Sequence, residues 1–435
     1  MASKNKTNPF RRMGITLRII RRNYPTVPYF LKWISISLLI SFAIGTASAG
    51  FLYSLQWVTD YRELHPLIIA FLPLAGLAVG LLYHYFGKDV EAGNNLIIDN
   101  INAPKKVIPI RMGILVYLGT ILTHLFGGSA GREGTALQMA GSMADQLTAP
   151  LKLQAQDRKA LLIAAVAGGF GSVFGTPLAG AFFALEFYRV GKINYLALFP
   201  AILTAVFSDL VVDYWQIPHT HYHIDVIPEM GFFTVFYVII AGLCFGLCAR
   251  FFSIGIFKLG KLVKAKIAFP PLRPFIGGIL IVGLVLVLGT TKYIGLGIPT
   301  IVASFEEQLP AYDFLIKAVL TIITLAMGFK GGEVTPLFFI GATLGNALGL
   351  IIPLPMGLLA GMGFVSVFAG ATNTPIACCL MAIELFGMEC GVFVAISCVV
   401  AYYISGQHSI YRNQVVGESK QARKLHQEGK RLSDL

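Results

Sequence analysis

Long apolar stretches, interrupted by glycine, proline and short polar clusters, set the pattern of this chain. The windows 66 to 83, 231 to 249, 275 to 289 and 391 to 406 are almost uninterrupted in their hydrophobicity and predict helices close to spanning length. Between them lie shorter apolar pieces broken at Gly or Pro, the pattern of helices that stop inside a membrane. One run, Ile34 to Gly50, ends in Ala47-Ser48-Ala49 and imitates the apolar core and cleavage site of a signal peptide. It begins only after 33 residues, and apolar sequence resumes at once in Phe51 to Val58, so an uncleaved first span is predicted.

Composition turns this pattern into a class. Of 435 residues, 56% are hydrophobic and 13% charged, and the mean hydropathy is +0.72. An ordinary soluble domain carries roughly a quarter charged residues, so a soluble enzyme and a disordered protein are both ruled out. The expectation is an all-α polytopic membrane protein. The 46 glycines and 21 prolines fit close-packed and broken membrane helices. All six cysteines (Cys244, Cys248, Cys378, Cys379, Cys390 and Cys398) fall in apolar stretches, as small core residues rather than a disulfide or zinc framework.

Charge supplies orientation. Met1 to Asn23 holds seven Lys/Arg and no acid, and Arg412 to Leu435 holds six against three acids, which puts both termini on the cytoplasmic side. Arg250 to Arg273 is expected as a third basic loop on that side, whereas Asp213 to Glu229, with three acids and no Lys/Arg, suits an outward loop. The net charge of +12 is explained by orientation and by anionic membrane lipids. No aromatic-basic groove accompanies it, so no nucleic-acid partner is expected.

The chain repeats itself. Gly131-Arg132-Glu133-Gly134-Thr135 is echoed 200 residues on by Gly331-Gly332-Glu333-Val334-Thr335. Phe174-Gly175-Thr176-Pro177, with Glu186 nine residues past its proline, is echoed by Ala371-Thr372-Asn373-Thr374-Pro375 with Glu384 nine past its own. Pro73-Leu74-Ala75-Gly76 matches Pro274-Phe275-Ile276-Gly277 at an offset of 201. Duplicated halves with broken helices at matching positions are a transporter signature. The predicted division is a cytoplasmic N-terminal segment (1–28), a first membrane repeat (29–212), an extracytoplasmic linker (213–231), a second repeat (232–411) and a basic cytoplasmic tail (412–435).

The candidate chemistry lies at the breaks. A helix starting after Gly127-Gly128-Ser129-Ala130-Gly131 would aim unpaired N–H groups and the positive end of its dipole into the protein, which makes an anion site. Glu133 sits there, and as an anion itself it can occupy the position meant for a transported one until protonation releases it. The alternative is a carboxylate that only stabilises its own helix. Gly331 to Pro336 repeats the design with Glu333 and the hydroxyl donor Thr335, and a two-fold arrangement would bring both acids to one pathway; alternatively Glu333 pairs with Lys330 or Arg132. Gly93-Asn94-Asn95-Leu96 is a third glycine-led break, in which Asn94 either donates to an anion or caps a helix. Tyr411 either presents its hydroxyl to the inner end of the pathway or belongs to an interfacial aromatic belt.

Other signals point to lesser roles. Gly127 to Gly131 formally matches the nucleophile elbow G-x-S-x-G, with His124 nearby, but its flanks are those of membrane helices, and an intramembrane serine hydrolase stays a remote alternative. His219-Thr220-His221-Tyr222-His223 alternates like a metal-binding strand, yet is expected as a solvated loop. Glu186 and Glu384 are expected as buried caps or interface acids. No cofactor or metal is predicted.

These residues resemble the CLC family of chloride channels and anion/proton antiporters. The likeness runs from about residue 30 to 412 and rests on Gly-Arg-Glu-Gly at 131–134, Gly-Gly-x-x-x-Pro at 331–336, Thr-Pro-Leu-Ala-Gly at 176–180 and Tyr411. It implies an inverted repeat of two halves with broken, tilted helices, a homodimer with one pathway per subunit, helix N-termini that coordinate a dehydrated anion, and Glu133 as gating glutamate. The departures resemble the fluoride-exporting branch: Thr135 follows Gly-Arg-Glu-Gly in place of Pro, Gly93-Asn94-Asn95-Leu96 replaces a serine-bearing block, and Glu333 precedes Val334-Thr335-Pro336. That branch implies Asn94 at the serine position, Glu333 as an added acid and Thr335 as its neighbouring donor, with Gly131, Arg132, Gly134, Val334 and Tyr411 completing the anion-binding set. The inner proton-transfer glutamate of chloride exchangers would fall at Phe187 and is absent, and the branch's pair of phenylalanines would fall at Ile97 and Asn100. The expected function is a fluoride/proton antiporter of the bacterial inner membrane that exports fluoride, with a chloride/proton exchanger or passive chloride channel of the same fold as the alternative.

Overall fold

A computed structural model describes residues 26–420 and 422–435. The expectations for the basic N-terminal segment therefore lie, but for its last residues, outside the described part. The first half contains α1 (Thr26–Leu64), α2 (Leu72–Phe86), α3 (Asn94–Asn102), α4 (Arg111–Leu125), α5 (Glu133–Asp145), α6 (Ala155–Phe174), α7 (Pro177–Glu186), a two-residue strand β1 (Arg189–Val190) and α8 (Leu198–Tyr214). The second half contains α9 (Phe232–Lys266), α10 (Leu272–Leu288), α11 (Ile298–Glu306), α12 (Asp313–Ala326), α13 (Val334–Leu348), α14 (Met356–Thr372), α15 (Pro375–Phe386) and α16 (Gly391–Ile404), followed by β2 (Val415–Val416).

Among the described residues, each half thus has eight helices in the same order. Four helical stretches among the described residues are long and apolar enough to cross a membrane: Thr26–Leu64, Pro66–Phe86, Tyr195–Tyr214 and Phe232–Lys266. At 1.5 Å per residue, α1 is about 58 Å long, well beyond a hydrocarbon core of about 30 Å, so it must tilt or protrude. Ala47-Ser48-Ala49 lies inside α1 with Ser48 and Ala49 buried, so no break follows it. The helix α5 is too short to span, and almost all of its residues are buried in protein, the setting in which a helix can end at membrane depth without orphaned backbone groups facing lipid.

One expectation needs correction. The stretch 250–273 is not a loop, because α9 continues to Lys266 and leaves a short connection before α10; its lysines ride on a helix that outruns the membrane. The segment 412–435, expected as a basic tail, packs against the helices. It folds back, β2 pairs in parallel with β1, and Arg431 forms an ion pair with Asp99 of α3 at 3.0 Å.

The repeated blocks are where the halves touch. Gly131 and Gly332 form an antiparallel bridge, with Gly131 N donating to Gly332 O at 2.6 Å and Gly332 N to Gly131 O at 2.7 Å. Glu186, at the end of α7, accepts from Ile376 N (3.3 Å) and Ala377 N (2.9 Å) at the start of α15. Glu384 returns the contact, accepting from Leu178 N and Ala179 N at the start of α7, both at 2.8 Å. A Cβ on Gly76 would lie 2.4 Å from Pro274 O, and one on Gly278 would lie 2.6 Å from Pro73 Cα. Such i-to-j and j-to-i pairs are what a two-fold axis produces, here between halves of one chain.

Candidate functional site

The site is built where α5 and α13 begin. Gly131 and Gly332 carry no side chains, so their backbones can bridge and bring the two helix starts together. Arg132 precedes α5 and Glu333 precedes α13 as the flanking residues. The first N–H groups of each helix lack intrahelical partners, and the Glu133 carboxylate fills that donor-rich space. Its Oε2 accepts from Arg132 N and from Thr335 N, both at 3.1 Å, and its Oε1 accepts from the Thr335 hydroxyl. The Arg132 Nε lies 3.7 Å from Oε1. Glu133 is fully buried. Three donors from two helices therefore converge on one carboxylate, across the junction of the two halves. Its tie to Thr335 N of the other half goes beyond a cap on its own helix.

A second compartment adjoins the first. Asn94 opens α3 behind Gly93, whose φ of 55° falls in the left-handed region that favours glycine. A Cβ on Gly134 would sit 3.0 Å from Asn94 Nδ2 and 3.5 Å from Glu333 Oε2, so the missing side chain of Gly134 leaves room between an amide donor and a carboxylate. Asn94 Oδ1, Glu333 Oε2 and the Tyr411 hydroxyl are all buried without a hydrogen-bond partner. Buried polar atoms are normally paired, so three orphans in one neighbourhood mark a place that a solute or water fills.

Tyr411 is 1% exposed, with its ring edge-on to Phe187 at 4.9 Å, and both Glu133 and Glu333 lie within electrostatic range of its hydroxyl. A belt tyrosine at the lipid surface is therefore not what the structure contains. The alternative for Glu333, an ion pair with Lys330 or Arg132, is also not found: the Lys330 amine sits over the Tyr83 ring at 3.9 Å, and the described residues include no ion pair to Glu333.

Phe187, where chloride exchangers would carry an inner glutamate, is a fully buried aromatic against Tyr411, and neighbouring Glu186 is committed to α15. Ile97 packs over Gly141 of α5, and Asn100 Oδ1 accepts from Arg158 at 3.1 Å; both are engaged in packing. Ser129 is not poised as a nucleophile. Its hydroxyl lies 2.9 Å from Thr321 Oγ1 and donates to Tyr293 O, while the two ring nitrogens of His124 face main-chain carbonyls, Nδ1 that of Thr120 at 2.9 Å and Nε2 that of Ala130 at 3.0 Å, rather than Ser129.

The linker after α8 was expected as a solvated loop and is in part a strap. His221 and His223 are exposed, but Ile224 is buried and Tyr222 packs against Phe305, Phe364 and Phe386. Tyr222 lies within electrostatic range of Arg132 and Glu133. His219 packs against Gly175, where a Cβ would meet its ring at 2.8 Å, and burial first, with the charge of Arg132 second, pushes its imidazole below the usual histidine range. Both residues thus lie within electrostatic range of Arg132, and Tyr222 also of Glu133, whereas the sequence placed them in a solvated loop. The one available signal was a tyrosine set among histidines in a polar stretch.

Residues 75–406 match the family described as the voltage gated chloride channel. The chain belongs to this family, the CLC proteins, and is an integral membrane protein. It is 51% identical over 415 residues to a chloride/fluoride channel protein of Pseudomonas syringae pv. tomato, covering 94% of this chain and 92% of the relative. It is 30% identical over 370 residues to the voltage-gated ClC-type chloride channel ClcB of Escherichia coli, covering 80% and 86% of the two chains. Among solved structures, a CLC-type fluoride/proton antiporter superposes with a TM-score of 0.86 at 34% identity, covering 94% of this chain and 99% of the other. A slow cyanobacterial Cl-/H+ antiporter shares the fold, with a TM-score of 0.75 at 18% identity over 86% of this chain and 94% of the other.

Proposed function

We propose that this protein is a fluoride/proton antiporter that exports fluoride, with Glu133 alternating between blocking and releasing the anion pathway. The observation that carries the reading is the donor set on Glu133: Arg132 N, Thr335 N and the Thr335 hydroxyl. An ionised carboxylate occupies these donors as an anion would. Once protonated, it loses the charge that holds it there, and a small anion takes its place. Anion entry and proton uptake are then two sides of one exchange.

The second compartment supports fluoride over chloride. Fluoride is small, strongly hydrated and a strong acceptor, so it gains more from compact N–H and O–H donors such as Asn94 Nδ2, the Thr335 hydroxyl and the Tyr411 hydroxyl. A carboxylate beside the pathway, Glu333, repels a permeant anion unless it takes up a proton, which fits a coupled carrier better than a passive pore. Fluoride is also the conjugate base of a weak acid, so proton-driven export counters entry of neutral HF. The names of the Pseudomonas relative and of the 34% identical structural neighbour agree with this reading.

The protein is further proposed to be a homodimer of the bacterial inner membrane with both termini cytoplasmic. The test is anion release from vesicles containing the purified protein, followed with fluoride and chloride electrodes in parallel. Fluoride release well above chloride release is expected. Equal release of the two would favour the chloride-transporting alternative.

A further inference from the structure

On the face that carries the tail, a cavity of about 480 Å³ lies between the C-terminal part of α9, the end of α16 and the tail. Arg250, Lys258, His408 and Arg412 contribute to its wall, and no Asp or Glu side chain does. The Arg412 guanidinium is stacked on the Phe257 ring at 4.0 Å, which holds it in place without neutralising it. Three polar atoms of the wall are buried without partners: Arg412 Nε, Gln407 Oε1 and Gln427 Oε1. The three cationic side chains Arg250, Lys258 and Arg412, against one acid at the wall, the terminal carboxylate of Leu435, together with unspent polar atoms, describe a receptor for a phosphate-bearing polar group.

The neighbouring face of α9 is different. Phe251, Gly255, Leu259 and Leu262 line an apolar groove of about 550 Å³ with Val319, Ile322 and Ile323 of α12. On a helix, with about 100° per residue, positions 250, 254 and 257 fall on one face and 251, 255, 259 and 262 on the next. Lys258 falls between them and lines both spaces. Its charged end can reach the basic cavity while its stem lies along the apolar edge. Phe251 and Leu262 are each 50% exposed, as expected of side chains that meet acyl chains.

We infer that this pair of spaces is a binding site for one anionic phospholipid, with the headgroup phosphate held by Arg250, Lys258 and Arg412 and an acyl chain laid in the α9–α12 groove. The match of a charged cavity to an adjoining apolar groove selects a lipid over a soluble anion, which would leave the groove empty. This assignment does not depend on which anion the protein transports.

The test uses the full-length protein, delipidated in detergent and examined by native mass spectrometry with added lipid. Phosphatidylglycerol should bind as a discrete first equivalent at least ten-fold more tightly than phosphatidylcholine. Arg250→Gln combined with Lys258→Gln should remove that preference while leaving the thermal unfolding midpoint unchanged. Arg250, Lys258 and Lys261 have no ion-pair partner among the described residues. Lys261→Gln, on the same helix but outside both cavity walls, should leave the preference intact. The assignment is overturned if the double variant keeps the wild-type preference, or if Lys261→Gln weakens it equally, which would mean diffuse attraction to a basic helix. It is also overturned if inorganic phosphate competes as well as the lipid does. Should the double variant unfold, Leu259→Gln in the groove provides the second reading: it should weaken phosphatidylglycerol binding without altering the basic wall, and undiminished binding contradicts the lipid assignment.

Discussion

Glu133 and the transported anion compete for the same donors, so its substitutions have definite consequences. Glutamine keeps the size of the side chain but neither takes up nor releases a proton, and in Glu133→Gln we expect proton counterflow, followed with a pH probe in vesicles, to vanish. Thr335→Val keeps the branched shape and removes the hydroxyl donor to Glu133. A hydrogen bond to a charged group is worth roughly 1.5–3 kcal/mol, so a fall in fluoride turnover of about ten-fold or more is expected. Ser129→Ala, by contrast, should leave turnover intact, because the Ser129 hydroxyl is bonded to Tyr293 O and close to Thr321 rather than to the pathway. Glu133, Glu333 and Thr335 were legible in the sequence because each sits inside a short motif whose local geometry does the work. His219 and Tyr222 were not, because what they touch, Gly175 for one and Phe305, Phe364 and Phe386 for the other, is remote along the chain.

At the scale of the element, the short helices are stabilised by partners from the opposite half. The first N–H groups of α7 and α15 have no intrahelical acceptors, and each pair is satisfied by a carboxylate from the other helix, Glu384 and Glu186. In Glu384→Ala, two N–H groups at the start of α7 lose their acceptors. A hydrogen bond to a charged group is worth roughly 1.5–3 kcal/mol, and less where, as at Leu178, water can replace the acceptor. A lowered unfolding midpoint in detergent is expected, with fluoride turnover per folded molecule unchanged, since neither acid faces Glu133. The nine-residue spacing from proline to acid announced this arrangement as a repeat, but only the folded structure reveals the reciprocity. The length of α9 was illegible for a different reason: lysines at 258, 261, 264 and 266 signal an inner loop by charge, yet lysine is also a good helix former, and the helix simply continues past the apolar window.

Across the whole molecule, the linker and the tail perform matching tasks at corresponding helix ends. The helix α6 ends at Gly175 and α14 at Asn373, both with positive φ. The linker covers Gly175 with His219, whereas the tail covers Asn373 with Gln414 and Lys420. Lys420 donates to Asn373 Oδ1 at 2.5 Å, Tyr402 O at 2.6 Å and Gly406 O at 2.8 Å, an amine held at the C-terminal ends of two helices, where burial pushes its pKa down. Lys420→Met should therefore loosen the tail, and limited proteolysis should cleave the variant beyond Tyr411 several-fold faster than the wild type. Through Asn413 and Arg431 the tail also grips Asp99 of α3, the helix that Asn94 begins. The duplication and the membrane class were legible at this scale, from three repeated blocks and from the apolar composition. The folded tail was not, because a basic segment after the last apolar window carries an orientation signal that hides its tertiary contacts.

The central claim is that anion and proton exchange places at Glu133, and uphill transport tests it most directly. Vesicles containing the purified protein are prepared with equal fluoride inside and outside, a pH gradient is imposed with the membrane potential clamped, and fluoride is followed with an electrode. Antiport requires net fluoride movement toward the more acidic side, opposite to the proton flow, and its loss in Glu133→Gln. Fluoride that stays at its equilibrium distribution under the imposed gradient, in a protein that otherwise conducts it, would contradict the account.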